Sequence, residues 1–385
     1  MKAIVNTTLV LENSLVWDGV LLFDQDRIIA CGPAEQTTVP PGATIIDAGG
    51  RYTAPGLIDI HNHGGHGRLF SEDPIHCCDH FLQHGQTTVL PTLYASLSYQ
   101  ELLDAIKLIH EASQQGSGRI IHGLYMEGPY MNADLGANQN STQFRGPIEE
   151  HEYRGLVDTA GDFVRVWCID PARAGIESFM QYAISVHPDV IFSLGHSLAE
   201  PQQCHDLKKY GIRNQTHHAD SGSPKGPARG TLGAGPDEYA LYDSDIYTEL
   251  ISDLRGIHVR PDRLRLVVKT KGVDRVILIT DSSGSRAGFK PNPGTAYGED
   301  LAYDDEGHLA GSRLTLDAAC RNMMKHTGYG ICHVIHFATI NPARMLGIDR
   351  ELGSLAAGKK ANLIICDDQI RINQVILEGE TVFQS

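Results

Sequence analysis

The sequence predicts an α/β chain: a (β/α)8 TIM-like barrel with a small β-sandwich formed from both chain ends. Three observations predict it. Between Pro55 and about Ser282, apolar strand-like runs alternate with helix-length amphipathic stretches. Both ends of the chain show instead short β-patterned runs broken by Gly, Pro and Asp. Polar residues suited to chemistry recur at the ends of the predicted barrel strands, where such a barrel keeps its site.

The elements follow in order. Up to about Thr53, "AIVNTTLVLE", "GVLLFDQDRIIACG" and "ATIIDAGGRYTA" read as strands and turns. Eight barrel strands come next, at 57–63, 87–92, 120–128, 164–171, 190–197, 214–219, 245–253 and 275–282. Between them, "YQELLDAIKLIHEASQ" and "PDRLRLVVKTKG" carry apolar residues at helical spacing. The Gly/Pro-rich stretch from Asp220 to Asp243 reads as a long loop, a length usually tied to function or mobility. After the barrel, "RLTLDAACRNMMKHTG" and "FATINPARMLG" read as helices, and the final segment returns to strands. The expected organisation is residues 1–54 and 348–385 in the small β unit, with 55–347 as the barrel.

Composition narrows the function. With 385 residues the chain can bury a large core. A formal charge of −15 disfavours a nucleic-acid backbone as partner and favours a small molecule. The eight cysteines are scattered without a Cys-x-x-Cys pair, which points to a reducing compartment. The start lacks a signal-peptide layout and no long uncharged apolar run is present, so the expectation is a cytoplasmic protein with no membrane partner.

The predicted strand ends carry His61 and His63, Glu127, His196, His217 and Asp281. His61 and His63 are two residues apart, so both turn to one face of a strand and can grip one ion. Imidazole and carboxylate suit zinc, iron, manganese, cobalt or nickel. Glu127 can bridge two ions, His196 and His217 can complete a second position, and Asp281 is left for proton transfer. A lone histidine at a strand end is more often structural, but the convergence of all six residues points to a metal site. His218 should face away from His217, and His66, His76, His80, His84 and His122 have no comparable placement.

The segments "PGLIDIHNHG", "GLYMEGPYMN", "SLGHS", "ILITDSSG", "LAGSRLTLDAACRN" and "ATINPARMLGIDRELGSLAAGKKANLIICD" resemble the amidohydrolase superfamily, and within it the N-acetylglucosamine-6-phosphate deacetylase family. The resemblance implies a metal-dependent hydrolase that cleaves a linear amide, releasing acetate from an N-acetyl amino sugar phosphate. Glu127, His196 and His217 are then the principal ligands of one or two ions, zinc or iron. Asp281 matches the catalytic aspartate, and His258 a histidine that contacts the substrate and polarises its carbonyl. A homodimer is also implied.

The departures from the family lie at the substrate end. The Asn-Ala-Met segment that usually follows Thr-His is replaced by "THHADSGSPKGPARG", where Lys225 or Arg229 is the nearest candidate for a phosphate. In "GANQ", Asn138 or Gln139 is positioned to hold a sugar hydroxyl. The alternative substrates are N-acetylgalactosamine-6-phosphate, another N-acyl sugar or an N-acyl amino acid. A non-catalytic assembly protein is the contrary reading, and the intact ligand set with Asp281 argues against it.

Overall fold

The computed structural model describes residues 1–137, 143–220, 231–284, 298–304 and 307–385. Eight parallel strands form the barrel: Leu57–Asn62, Gln86–Tyr94, Leu124–Glu127, Val164–Ile169, Ile191–Leu194, Ile212–Gln215, Tyr247–Ile251 and Val276–Ile279. They are barrel strands one to eight, hydrogen-bonded in sequence order. Strands buried on both faces read as continuous apolar runs, and strand eight, "VILI", is buried throughout. Residues just past strand eight complete the ring. Asp281 N donates to the His61 carbonyl at 2.9 Å, and His63 N to the Ser282 carbonyl at 2.7 Å.

The helices cover the barrel because one stripe of each is apolar. In Tyr99–Ala112, Leu102, Ala105, Ile106, Ile109 and Ala112 are buried, a spacing that repeats along one face. Ser98 begins this helix by accepting from Glu101 N, while Glu101 caps Ser98 N in return. Pro261–Lys271 buries Leu264, Val267 and Val268 in the same way.

Both chain ends meet in one eight-stranded sheet. Its order runs Glu380–Gln384, Ile372–Leu377, Leu363–Cys366, Tyr52–Pro55, Lys2–Val10, Leu15–Asp24 and Arg27–Pro33, with Thr44–Asp47 added parallel to Lys2–Val5. Alternation along its strands sends Ile4, Leu21, Phe23, Leu363 and Ile376 into one core cluster and Ala3, Val20 and Leu22 into another. Leu363–Cys366 pairs with Tyr52–Pro55, which leads directly into barrel strand one. All eight cysteines are free thiols. Among the described residues, no helix is long and apolar enough to cross a membrane.

Candidate active site

The six residues singled out at strand ends come together at the C-terminal mouth of the barrel. Glu127 is the last residue of strand three, and the others sit at or just beyond the ends of strands one, five, six and eight. His196, His217 and Asp281 have φ of 44°, 24° and 46°, the left-handed region that side chains rarely occupy. Such conformations cost of order 1–3 kcal/mol each and persist where the surroundings over-determine them, commonly at functional sites. Here they turn three side chains from the strand direction into the mouth.

Two donor groups share Glu127: His61, His63 and Glu127 form one, and Glu127, His196 and His217 the other. In the second, His196 Nε2 and His217 Nε2 lie 2.9 and 3.0 Å from Glu127 Oε1 and 3.0 Å from each other. In the first, His63 Nε2 is 3.1 Å from Glu127 Oε2 and 3.3 Å from Asp281 Oδ1, and His61 Nε2 is 3.6 Å from the same Asp281 oxygen.

The tautomers test whether an ion fits. His61 Nδ1 lies 3.1 Å from Glu249 Oε2, and His63 Nδ1 lies 3.1 Å from the Thr92 carbonyl. Both partners are acceptors, so in the neutral ring each Nδ1 carries the hydrogen and each Nε2 keeps its lone pair. Those two Nε2 atoms are buried and face the carboxylate oxygens of Glu127 and Asp281. Lone pairs facing carboxylate oxygens are mutually repulsive unless a cation lies between them. Ligand atoms about 2.1 Å from a tetrahedral ion stand about 3.4 Å apart, between the 3.1 and 3.8 Å that separate His63 Nε2 and His61 Nε2 from Glu127 oxygens, while the second group, at 2.9 to 3.0 Å, is drawn tighter. The residues therefore fit a divalent metal.

The charges around the cluster follow from the same contacts. Burial works to raise the Glu127 carboxyl, yet the imidazoles of His196, His217 and His63 packed around it hold it well below the usual carboxylate range. Burial also opposes charge on His217, but the bond to Glu127 pushes it up to about 10. His61 is likewise raised, with burial outweighed by Glu249.

Several neighbours went unmarked in the sequence. Glu249, fully buried in strand seven, accepts from Asn214 Nδ2 at 2.5 Å and His217 N at 3.1 Å besides holding His61. A lone acid inside an apolar strand was the available signal. Tyr94 stacks on His63 with ring centroids 3.4 Å apart. Two glycines press on the site: a Cβ at Gly136 would lie 2.5 Å from His196 Cε1, and one at Gly311 2.5 Å from the Asp281 carbonyl oxygen.

A cavity opens over the cluster, lined among others by Glu127, His196, His217, Asp281, Asp220 and Gly311. The sequence leads one to expect His258 against the substrate carbonyl. In the structure its ring nitrogens meet protein partners, Nδ1 at 2.8 Å from Asp220 Oδ2 and Nε2 at 3.0 Å from the Gly311 carbonyl. Burial works to lower its pKa, but Asp220 pushes it up to about 9. Asn138, Gln139, Lys225 and Arg229, the expected sugar and phosphate contacts, lie outside the described residues. His218 faces away from the cluster as expected, its Nδ1 bonded to Gln215 Oε1.

Known proteins resemble this chain in sequence and in fold. The Amidohydrolase family profile matches residues 52–382. The chain is 31% identical to N-acetylgalactosamine-6-phosphate deacetylase of Escherichia coli O157:H7, over 89% of this chain and 90% of that one. It is 27% identical to N-acetylglucosamine-6-phosphate deacetylase of Bacillus subtilis, over 98% and 96%. Among solved structures, N-acetylglucosamine-6-phosphate deacetylase of Pasteurella multocida superposes with a TM-score of 0.86 at 26% identity, covering 99% of each chain. A mutant of N-acetyl-D-glucosamine-6-phosphate deacetylase of Mycobacterium smegmatis, in complex with N-acetyl-D-glucosamine-6-phosphate, superposes with a TM-score of 0.84 at 25% identity, covering 100% of this chain and 99% of that one. By sequence and by fold alike, this chain belongs to the amidohydrolase family.

Proposed function

We propose that the protein is a metal-dependent deacetylase of an N-acetyl amino sugar phosphate, with N-acetylglucosamine-6-phosphate as first substrate. The observation that carries this reading is the pair of donor groups sharing Glu127, with Asp281 3.3 Å from His63 Nε2 at the floor of an open cavity. The galactosamine-6-phosphate deacetylase at 31% identity favours a second reading, the galactose epimer.

A divalent ion held here would supply a nucleophile from water at neutral pH and draw charge from an amide carbonyl. Zinc or iron suits the imidazole and carboxylate donors, and two groups sharing one carboxylate support two ions. His61 and His63 present fixed lone pairs because Glu249 and the Thr92 carbonyl anchor the opposite ring edges.

Asp281 is the proton carrier. It takes a proton from the attacking water as the new C–O bond forms, and returns it to the nitrogen as the C–N bond breaks. Acetate and a free amine leave, and the carboxylate is regenerated. The backbone holds Asp281 for this exchange: its N–H donates to the His61 carbonyl and its carbonyl accepts from Ser312 N at 2.7 Å.

The test is acetate release from N-acetylglucosamine-6-phosphate, N-acetylgalactosamine-6-phosphate and both unphosphorylated sugars, with metal-loaded wild type and Asp281→Asn. The wild type should turn over a phosphorylated sugar, and the variant should keep its metal while losing about 100-fold or more in kcat. Near-normal turnover by Asp281→Asn would remove the proton-transfer role. No turnover of any of the four sugars by the loaded wild type would remove the substrate class.

A further inference from the structure

Four histidines that end no barrel strand gather on the flank of the barrel: His66, His76, His80 and His84. Three of them fall at intervals of four along the helix Pro74–Gln83 and its C-cap residue, so they share one face. His66 lies in the turn between Gly64–Gly65 and Arg68–Leu69, with its backbone in the left-handed region at φ 51°. Its carbonyl accepts from His76 Nε2 at 3.2 Å, which ties the turn to the helix. Centroid to centroid, the His66 ring stands 5.3 Å from that of His80, and the His80 ring 4.8 Å from that of His84. None of the four lines the cavity over the donor groups.

The barrel mouth supplies a ruler for this spacing. His196 and His217, which belong to one donor group, have centroids 4.7 Å apart at an interplanar angle of 77°. His80 and His84 repeat this edge-on arrangement at 4.8 Å and 60°. His84 is also oriented as a ligand is, its Nδ1 lying 3.4 Å from Asp317 Oδ1. A carboxylate is an acceptor, so in the neutral ring Nδ1 carries the hydrogen and Nε2 keeps its lone pair. The other Asp317 oxygen takes Arg321 Nη1 at 2.7 Å, which holds that cation on the carboxylate. Burial, and then the imidazoles of His84, His66 and His76, hold the pKa of His80 down to about 4, so at neutral pH its ring is uncharged. The His84 side chain is 37% exposed and open to an ion from solution.

We propose that His80 and His84 chelate a divalent transition-metal ion at a site separate from the barrel mouth, with Asp317 orienting His84 and His66 beside the pair as a third imidazole. Imidazole donors suit zinc, copper or nickel, whereas magnesium and calcium want oxygen. Water completes the coordination. An ion there would staple the turn that carries His66 to the helix Pro74–Gln83 and, through Asp317, to the helix Leu316–Thr327. The inference does not depend on which substrate the barrel mouth takes.

The experiment loads the protein with metal, removes the excess, counts the ions retained, and then titrates in zinc against a chromogenic chelator. Wild type should take up one further zinc ion, and an excess of magnesium should not displace it. His80→Gln and His84→Gln should each weaken that uptake about tenfold or more, and Asp317→Ala about tenfold through the loss of the group behind His84. The two histidine variants guard against a folding defect in either, and circular dichroism checks each fold. His151→Gln, a change to an exposed histidine on another helix, should leave the uptake as in wild type. No further ion in wild type overturns the site. A further ion held as tightly by folded His80→Gln and His84→Gln overturns it as well, because the ion then sits elsewhere.

Discussion

At the scale of single residues, the protein decides protonation by partner. His61 and His63 are forced to carry hydrogen at Nδ1, which leaves Nε2 for an ion. His218, one residue from His217 in the cluster, is treated in the opposite way. It is fully buried, with Nδ1 donating to Gln215 Oε1 at 2.5 Å, and burial together with Arg263 holds its pKa down to about 3. An unfolded histidine titrates near 6.5. Below that pH the unfolded chain binds a proton that the native chain refuses, so His218 contributes stability above about pH 6.5 that is lost as the pH falls toward 3. Between pH 7 and pH 5 this loss should amount to about 2 kcal/mol. Urea titrations of wild type and His218→Gln at the two pH values check it, and equal acid sensitivity in both proteins would exclude the effect. The residue-level picture was legible in part. His61, His63 and Glu127 were visible because strand alternation and strand ends fix where side chains point. The link from His61 to Glu249 spans 188 residues, and that from His258 to Asp220 spans 38. No local pattern carries such pairings.

At the scale of elements, all eight barrel strands stand where the apolar runs placed them, and the differences lie at their ends. Strand six was expected at 214–219 and occupies Ile212–Gln215, because His217 and Ala219 adopt left-handed backbone and leave the extended path. Strand three was expected from residue 120 and begins at Leu124, after a 3-10 turn over Gly116–Ile120 and Gly123 at φ 136°. Sequence periodicity reports extended segments but is blind to the turn that ends them, and here that turn aims the ligands. Glycine is needed where other segments close over these turns. Gly136 sits at φ 80° with the His196 ring where a Cβ would be. Gly136→Ala must displace that ring, so metal affinity should fall about tenfold or more, the size of effect seen when groups supporting a ligand are altered. Competition with a chromogenic chelator measures it, and wild-type affinity in a folded variant would show that His196 does not hold the ion.

At the scale of the whole molecule, the donors come from strands one, three, five and six, with Asp281 beyond strand eight. An ion bound among them would tie distant parts of the barrel together and stabilise only the folded chain. At 100 times its Kd it contributes about 2.7 kcal/mol, which for a chain of this length corresponds to about 3 °C in Tm. Stripping the protein with a chelator should lower Tm by at least that amount, and restoring zinc or iron should recover it. An unchanged Tm would mean that the buried histidines and Glu127 are reconciled by protons alone. The shared sheet has a consequence of another kind, in the order of events during synthesis. Tyr52–Pro55 emerges early but has Leu363–Cys366 as its antiparallel partner. The N-terminal part of a chain is made first, and an unpaired strand edge invites wrong partners. Until residues 363–366 leave the ribosome, the lead-in to His61 and His63 has a bare edge, although every residue of the two donor groups has already been translated. A chain stopped short would thus hold the full chemical inventory of the enzyme while still presenting a surface that chaperones recognise.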